Sequence, residues 1–171
     1  MLNLEKKFFK KRILIYGLGK SGLSTYSFLK KSNVISLFDD QIFAKKRIKD
    51  THATYKEIIK KKFDCIIISP GIDINKCKLS RFLKKNHKKI YTDLDIFYSQ
   101  YAFNQKITIT GTNGKSTTAK LLYDILKDQK KDVRLVGNIG NPILLEKKIK
   151  KDTLFVIEAS SYLLNNLLYS S

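Results

Sequence analysis

The sequence predicts an α/β protein made of two successive parallel sheets. Short runs of β-branched and other apolar residues alternate with longer stretches of helical periodicity, as in repeated strand–helix–strand units. Two of the predicted strands run directly into glycine-containing turns, at 17–22 and at 110–117. Such turns between a strand and a helix are typical of phosphate-binding α/β folds. We therefore expect a Rossmann-like parallel-sheet domain followed by a domain of the P-loop type.

The first half of the chain has the pattern of a Rossmann-like domain. Its predicted strands are 13–16, 34–38, 63–68 and 89–91. Its predicted helices are 23–31, 79–86 and 93–101, with a further basic, helix-like stretch before the third strand. Strands that alternate with helices in this way indicate a parallel sheet.

The first turn is a full G-x-G-x-x-G at Gly17–Gly22, and Asp39 follows the next strand at about the 20-residue distance of a dinucleotide fingerprint. The third strand stops at Ser69-Pro70-Gly71. Open parallel sheets bind ligands outside the carboxyl ends of their strands, so Gly71 could border the same site. It could equally be an ordinary turn.

The second half starts a new α/β series, which places a domain boundary near residue 102. We expect domains at 1–102 and 103–171, the second being the truncated start of a P-loop-type α/β ATPase domain. Its predicted strands are 106–110, 133–136 and 154–157. In the helix after the first of these, four apolar residues are predicted to share one face, namely Leu121, Leu122, Ile125 and Leu126.

The turn at Thr110–Thr117 has the residues of a phosphate loop. Backbone N–H groups of 112–116 can converge on an anion at a helix N-terminus, and Lys115 adds a full charge. Ser116 follows the lysine, where phosphate loops place a magnesium ligand. The loop is shorter than usual, because Ile109 occupies the place of the first glycine.

Glu158 ends the last apolar strand and is a second candidate magnesium ligand. Carboxylate and hydroxyl oxygens are the hard ligands that Mg²⁺ takes in proteins, and an acid at a strand end beside a phosphate loop suits that role. The alternative is a solvent-facing glutamate without a ligand.

Charge and composition limit the remaining classes. The formal charge is +19, but the lysines are scattered as doublets and triplets without interleaved aromatics, which does not favour a specific nucleic-acid site. The sequence has no apolar run of the roughly 20 residues that cross a bilayer, so we expect no membrane insertion. Having only two cysteines suits a reducing compartment such as the cytoplasm, and their spacing is not that of a metal site.

Six segments together resemble the Mur ligases of peptidoglycan synthesis. In the second half they are 110–117, 137–140 and 158–162. In the first half they are 17–24, 69–72 and 93–97. The resemblance implies a UDP-sugar rather than NAD in the first domain, with UDP-N-acetylmuramoyl-L-alanine and D-glutamate as substrates. It implies ATP and Mg²⁺ in the second domain, and amide formation through an acyl phosphate.

The resemblance also implies roles for individual residues. Those assigned to the substrate are Lys20, Ser21, Asp39, Asp40, Gly71, Asn138 and Ser160. Those assigned to ATP are Gly111, Thr112, Asn113, Gly114, Lys115, Ser116 and Thr117, with Lys115 as the catalytic residue. Those assigned to magnesium are Ser116 and Glu158.

The sequence departs from the family pattern in three places and in length. Leu163 stands where the family usually has glutamine, and Asp40 and Gln41 stand where it often has a hydroxyl and a basic residue. The family continues with a histidine, a modified lysine and a C-terminal domain for the amino-acid substrate. We therefore expect the 171 residues to be the front part of a ligase that does not complete the reaction alone.

Three other interpretations remain open from the sequence. An NAD-dependent oxidoreductase would explain the first glycine turn and Asp39, but nothing after residue 105. A stand-alone nucleotide-binding or nucleic-acid-binding module would suit the charge. Folylpolyglutamate synthetase has the shortened phosphate loop, but is not expected to have the glycine-rich first domain.

Overall fold

The computed structural model describes residues 5–41 and 52–159, and the chain separates into two compact units, 1–100 and 101–171. Both described units contain a parallel sheet with helices, so the predicted α/β class is confirmed. The assignment of 1–102 and 103–171 to two different ligands stays a prediction. Within the described ranges, every helix is too short or too polar to cross a bilayer.

The first unit contains a four-stranded parallel sheet in the order β2-β1-β3-β4. The strands are β1 (Arg12–Tyr16), β2 (Val34–Phe38), β3 (Cys65–Ile68) and β4 (Ile90–Tyr91). The helices are α1 (Lys20–Leu29), α2 (Tyr55–Lys60), α3 (Ser80–Lys85) and α4 (Asp93–Gln100).

Two features of this sheet determine where a ligand can bind. Residues 13–16 and 65–68 are buried along their whole length, because β1 and β3 are covered on both faces. The chain leaves β1 towards β2 on one side and later returns to add β3 on the other. This reversal of strand order is the point at which open α/β sheets bind ligands.

Helix α1 begins at Lys20, three residues before the predicted start at Leu23. The prediction was wrong because it treated the whole glycine turn as a loop. In the structure Gly19 is the N-cap, and the Leu23 N–H donates to its carbonyl oxygen at 3.0 Å. Lys20, Ser21 and Gly22 therefore form the first helical turn.

The second unit contains a three-stranded parallel sheet in the order β5-β7-β6. The strands are β5 (Lys106–Ile109), β6 (Val133–Gly137) and β7 (Leu154–Glu158), and the long helix is α5 (Lys115–Asp128). The central strand β7 pairs Glu158 with both Ile109 and Gly137, so the carboxyl ends of all three strands lie at one edge of the sheet.

The predicted apolar face of α5 only partly meets the sheet. Leu122 and Leu126 pack against the cluster formed around Ala119, whereas Leu121 and Ile125 are 59% and 46% exposed. The prediction that all four share one face was therefore wrong. Residues 121 and 125 lie one position before 122 and 126, which rotates them by about 100° around a helix of 3.6 residues per turn.

Asp132 joins the starts of β6 and β7 and should make the second unit sensitive to acid. Its carboxylate accepts the Thr153 hydroxyl hydrogen at 2.6 Å and pairs with Arg134. The Thr153 hydrogen bond is the main cause that lowers the pKa of Asp132 below its ordinary value. Because its pKa is lower in the folded than in the unfolded chain, the Asp132 carboxylate stabilises the fold at pH values above the ordinary pKa of an aspartate. This stabilisation is lost as the pH falls through the pKa of the folded state.

We expect the melting temperature of Asp132→Asn to lie below that of wild type at neutral pH, and the difference to shrink below about pH 4. A difference that is independent of pH would contradict this prediction.

Candidate functional site

The carboxyl edge of the second sheet brings together three predicted segments. The loop 110–117 follows β5, Glu158 ends β7, and Asn138 directly follows β6. Neighbouring parallel strands place these three strand ends side by side. Polar residues that are far apart in the sequence therefore meet around the N-terminus of α5.

The loop before α5 is arranged around the side chain of Lys115. Gly114 is the N-cap, with a φ of 73°, and the preceding residues 111–113 are exposed. The Lys115 ammonium donates to the carbonyl oxygens of Gly111 at 2.7 Å and Thr112 at 3.1 Å. An ammonium carries three donors, so one further acceptor can be added without breaking either bond. A phosphate oxygen at the positive end of α5 would be such an acceptor.

Ser116 and Glu158, the two predicted magnesium ligands, are in direct contact. The Ser116 hydroxyl donates to Glu158 Oε1 at 3.1 Å, across 42 residues of sequence. Glu158 is only 4% exposed, and its Oε2 is buried without a hydrogen-bond partner in the described part of the chain. A buried carboxylate oxygen without a partner is costly, and a bound cation would compensate that cost.

The donor set suits magnesium better than a transition metal. One carboxylate and one hydroxyl are few protein ligands, and Mg²⁺ usually completes its octahedron with water and substrate phosphates. The described ranges contain no cluster of three histidine, cysteine or acidic side chains of the kind that holds zinc. The residues present therefore fit Mg²⁺ together with a nucleotide.

Gly137 allows β6 to approach Glu158 closely. A Cβ at this position would lie 2.2 Å from the Glu158 carbonyl oxygen, and its φ is 107°. The next residue, Asn138, donates its backbone N–H to the same carbonyl at 3.0 Å. The backbone of Glu158 is thus fixed from the β6 side, while the Asn138 residue itself is exposed.

An open cleft of about 750 Å³ borders the start of α5. Its lining includes Ser116 and Thr117 from the helix, and Leu135, Ile139 and Gly140 from β6 and the following turn. The N-terminal end of α5 is therefore accessible from a partly apolar surface. This surface has room for groups larger than a phosphate.

The glycine turn of the first unit is closely packed, and it lies where the strand order reverses between β1 and β3. A Cβ on Gly22 would lie 1.8 Å from the Gly17 carbonyl oxygen. Gly17 is held by two bonds: its N–H donates to the Phe38 carbonyl at 2.9 Å, and its carbonyl accepts the Ser69 hydroxyl at 2.8 Å. Ser69 begins the turn to the exposed Gly71, so the turns after β1 and β3 are neighbours.

Asp39 is bonded to the backbone of its own surroundings. Its Oδ2 accepts the Leu18 N–H at 2.6 Å, and its Oδ1 accepts the Gln41 N–H at 2.8 Å. The carboxylate thus holds the glycine turn against the end of β2. Both oxygens keep acceptor capacity for a ligand hydroxyl, because an ionised carboxylate offers about four lone-pair sites.

Asp40 lies against Tyr16 and Lys78. Its Oδ2 accepts the Tyr16 hydroxyl at 2.7 Å, and Lys78 Nζ donates to its backbone carbonyl at 3.0 Å. Burial, and then the hydrogen bond to Asp40, raises the pKa of Tyr16 above its ordinary value, so the phenol remains a donor. Asp40 Oδ1 is buried and lacks a hydrogen-bond partner among residues 5–41 and 52–159.

The remaining predicted substrate residues are distributed differently. Lys20 is exposed in the first turn of α1, whereas the neighbouring Ser21 hydroxyl donates to the carboxylate of Asp93. Ser160 and the departure at Leu163 lie outside the described residues. Sequence reasoning assigned no role to Asp93, although it lies in the segment 93–97 that resembled the family.

The two sites share one kind of chemistry. Each has a glycine-containing turn from a parallel strand to a helix N-terminus, with a lysine in the first helical turn and an acidic residue at a neighbouring strand end. These features are typical of α/β proteins that bind nucleotide phosphates.

Comparison with known proteins identifies the family. Residues 11–90 match the model of the Mur ligase MurD-like, N-terminal domain, and residues 109–170 match that of the Mur ligase middle domain. The chain belongs to the Mur ligase family, as its motifs predicted.

Several curated relatives share the name UDP-N-acetylmuramoylalanine--D-glutamate ligase. The protein from Wolbachia sp. subsp. Brugia malayi is 38% identical, over 91% of this chain and 33% of its own length. The protein from Caldicellulosiruptor bescii is 33% identical, over 93% of this chain and 37% of its own length. The protein from Rickettsia bellii is 33% identical, over 91% of this chain and 35% of its own length. The chain thus spans about a third of the length of these relatives.

Proposed function

We propose that this chain is the nucleotide-binding front portion of an ATP-dependent ligase that adds D-glutamate to UDP-N-acetylmuramoyl-L-alanine in the cytoplasm. The observation that carries the proposal is the Ser116–Glu158 pair, with one buried carboxylate oxygen still unpartnered in the described structure, beside the lysine-containing loop 110–117. The names of the relatives support the choice of substrates.

In the second unit the proposed roles concern ATP. The backbone N–H groups of 112–116 and the Lys115 ammonium bind phosphate oxygens, and Ser116 and Glu158 hold Mg²⁺. When bound, Mg·ATP would supply the phosphoryl group that converts the L-alanyl carboxylate to an acyl phosphate, with release of ADP. Attack by the amine of D-glutamate would then form the amide and release inorganic phosphate. The protein contributes position and positive charge, the main requirements of phosphoryl transfer.

In the first unit the proposed ligand is the uridine diphosphate group. The N-terminus of α1 and Lys20 bind the diphosphate, and Gly71 borders the ligand from the turn after β3. Asp39 and Asp40 lie at the end of β2, where such folds bind the nucleoside. Asn138 and Ser160 are assigned to the substrate in the second unit. We assign the D-glutamate site to the two thirds of the relatives' length that lies outside the match.

Ligand-induced stabilisation tests the proposal directly. We expect the melting temperature to rise with UDP-N-acetylmuramoyl-L-alanine and, separately, with a non-hydrolysable ATP analogue in the presence of Mg²⁺. At 100 times Kd each ligand should add about 2.7 kcal/mol to the free energy of unfolding. NADH is the matched control for the first unit.

Other outcomes would favour the other interpretations. A rise with NADH and none with the UDP-sugar would overturn the ligase assignment of the first unit. Tight binding of duplex DNA near physiological salt would instead support a nucleic-acid module.

A further inference from the structure

Asp93 is a buried acidic residue in contact with the glycine turn of the first unit. Asp93 is the first residue of α4 and is 8% exposed. The Ser21 hydroxyl donates to its Oδ2, which links the first turns of α1 and α4 across 72 residues of sequence. Ser21 is also held from within α1, because the Ser24 hydroxyl donates to its carbonyl oxygen at 2.7 Å.

The start of α4 has a separate capping arrangement that leaves Asp93 available to Ser21. Asp95 Oδ2 accepts both the backbone N–H of Thr92, at 2.6 Å, and its hydroxyl, at 2.8 Å. Asp95 therefore caps the helix start, as carboxylates at N3 do. Asp93 also takes part in this capping, because its Oδ1 accepts the Leu94 N–H at 3.0 Å. Its Oδ2, however, accepts the Ser21 hydroxyl, a bond that capping does not explain.

The Ser21 hydrogen bond conflicts with a direct role of this hydroxyl in phosphate binding. A serine hydroxyl has one hydrogen, and phosphate oxygens without a proton only accept. While Ser21 donates to Asp93, it cannot also donate to a diphosphate. The groups left to bind a diphosphate at this turn are the backbone N–H groups of α1's first turn and the Lys20 ammonium.

We propose that Asp93 is a positioning residue for diphosphate binding, which acts by holding Ser21 and the first turn of α1 in place. The proposal rests on the proposed function of the first unit. Because the amides of one helical turn are rigidly connected, an anchor at Ser21 orients all of them towards the ligand. Burial raises the pKa of Asp93, whereas the hydrogen bond from Ser21 favours its ionised form, which accepts that bond.

Four substitutions in the full 171-residue chain test this role. Affinity for UDP-N-acetylmuramoyl-L-alanine is measured by calorimetry at a temperature where each variant is folded. Asp93→Ala and Ser21→Ala should each weaken binding about 5–10-fold, which is the effect of one hydrogen bond of 1–1.4 kcal/mol. The double variant should bind the UDP-sugar no more weakly than either single variant, because both substitutions remove the same hydrogen bond.

Ser21→Thr keeps the hydroxyl and should bind like wild type. Asp95→Ala is the matched control: it should lower the melting temperature through the lost cap but leave the affinity unchanged.

Each possible outcome of these measurements either supports or overturns the positioning role of Asp93. Unchanged affinity in Asp93→Ala, with a lower melting temperature, would mean that Asp93 is only structural. Additive losses in the combined variant would mean that Ser21 contacts the ligand independently. If Asp93→Ala does not fold, Ser21→Ala and Ser21→Thr measure the same link. Failure of the wild-type chain to bind the UDP-sugar would overturn the proposed function as well, and so differs from failure of the positioning role alone.

Discussion

Glu158→Gln should remove the magnesium dependence of nucleotide binding without destabilising the chain. The wild-type carboxylate is buried, and only one of its oxygens has a partner in the described structure, namely the Ser116 hydroxyl. Glutamine keeps an acceptor for that hydroxyl but loses the charge that binds a cation. Affinity for an ATP analogue in the presence of Mg²⁺ should fall at least about tenfold, which is the smallest loss of affinity typical of substitutions next to a bound metal.

The stability of Glu158→Gln separates a functional from a structural glutamate. A buried charge without full compensation costs folding free energy, so its removal should leave the melting temperature equal to or above that of wild type. Asp152→Asn is the matched control, since it removes one exposed acid at the opposite end of β7. Calorimetry with and without Mg²⁺ measures the effect. A lower melting temperature with unchanged magnesium dependence would show that Glu158 serves the fold.

The strands were predictable because their signal is local. Runs such as Ile13–Tyr16 and Cys65–Ile68 are apolar without interruption, which is what a strand covered on both faces requires. The glycine turns are equally local, since they depend on a few consecutive residues. For the same reason the strand-end position of Glu158 followed from the sequence, while its pairing with Ser116 required the parallel order β5-β7-β6.

The connections around Asp39, Asp40 and Asp93 were not predictable from the sequence. Each acid is bonded to a group far along the chain: Leu18, Tyr16 and Ser21 respectively. Such pairs depend on how the sheet brings β1, β2 and the start of α4 together. The sequence predicted which positions lie near a ligand, but it did not separate side chains expected to contact the ligand from side chains that hold the turn in place.

Gly22→Ala should have the largest effect on the stability of the first unit. The added Cβ would lie 1.8 Å from the Gly17 carbonyl oxygen and 2.9 Å from its carbonyl carbon, which are backbone atoms. Gly17 cannot retreat easily, because Phe38 and Ser69 hold its N–H and carbonyl. Either α1 moves away from β1 or these bonds break. We expect a loss of about 2–5 kcal/mol in the free energy of unfolding, from overpacking together with lost hydrogen bonds.

Gly19→Ala is the matched control in the same turn. A Cβ there would meet no atom of the described residues within 4 Å, and Gly19 has a φ of −69°, which alanine adopts without strain. Urea unfolding should therefore place Gly19→Ala within about 1 kcal/mol of wild type, the cost of replacing an N-cap glycine by the less favourable alanine. Equal losses in the two variants would mean that the turn needs glycine for flexibility. A loss confined to Gly22→Ala would mean that the turn needs glycine at this position for the close approach of α1 to β1.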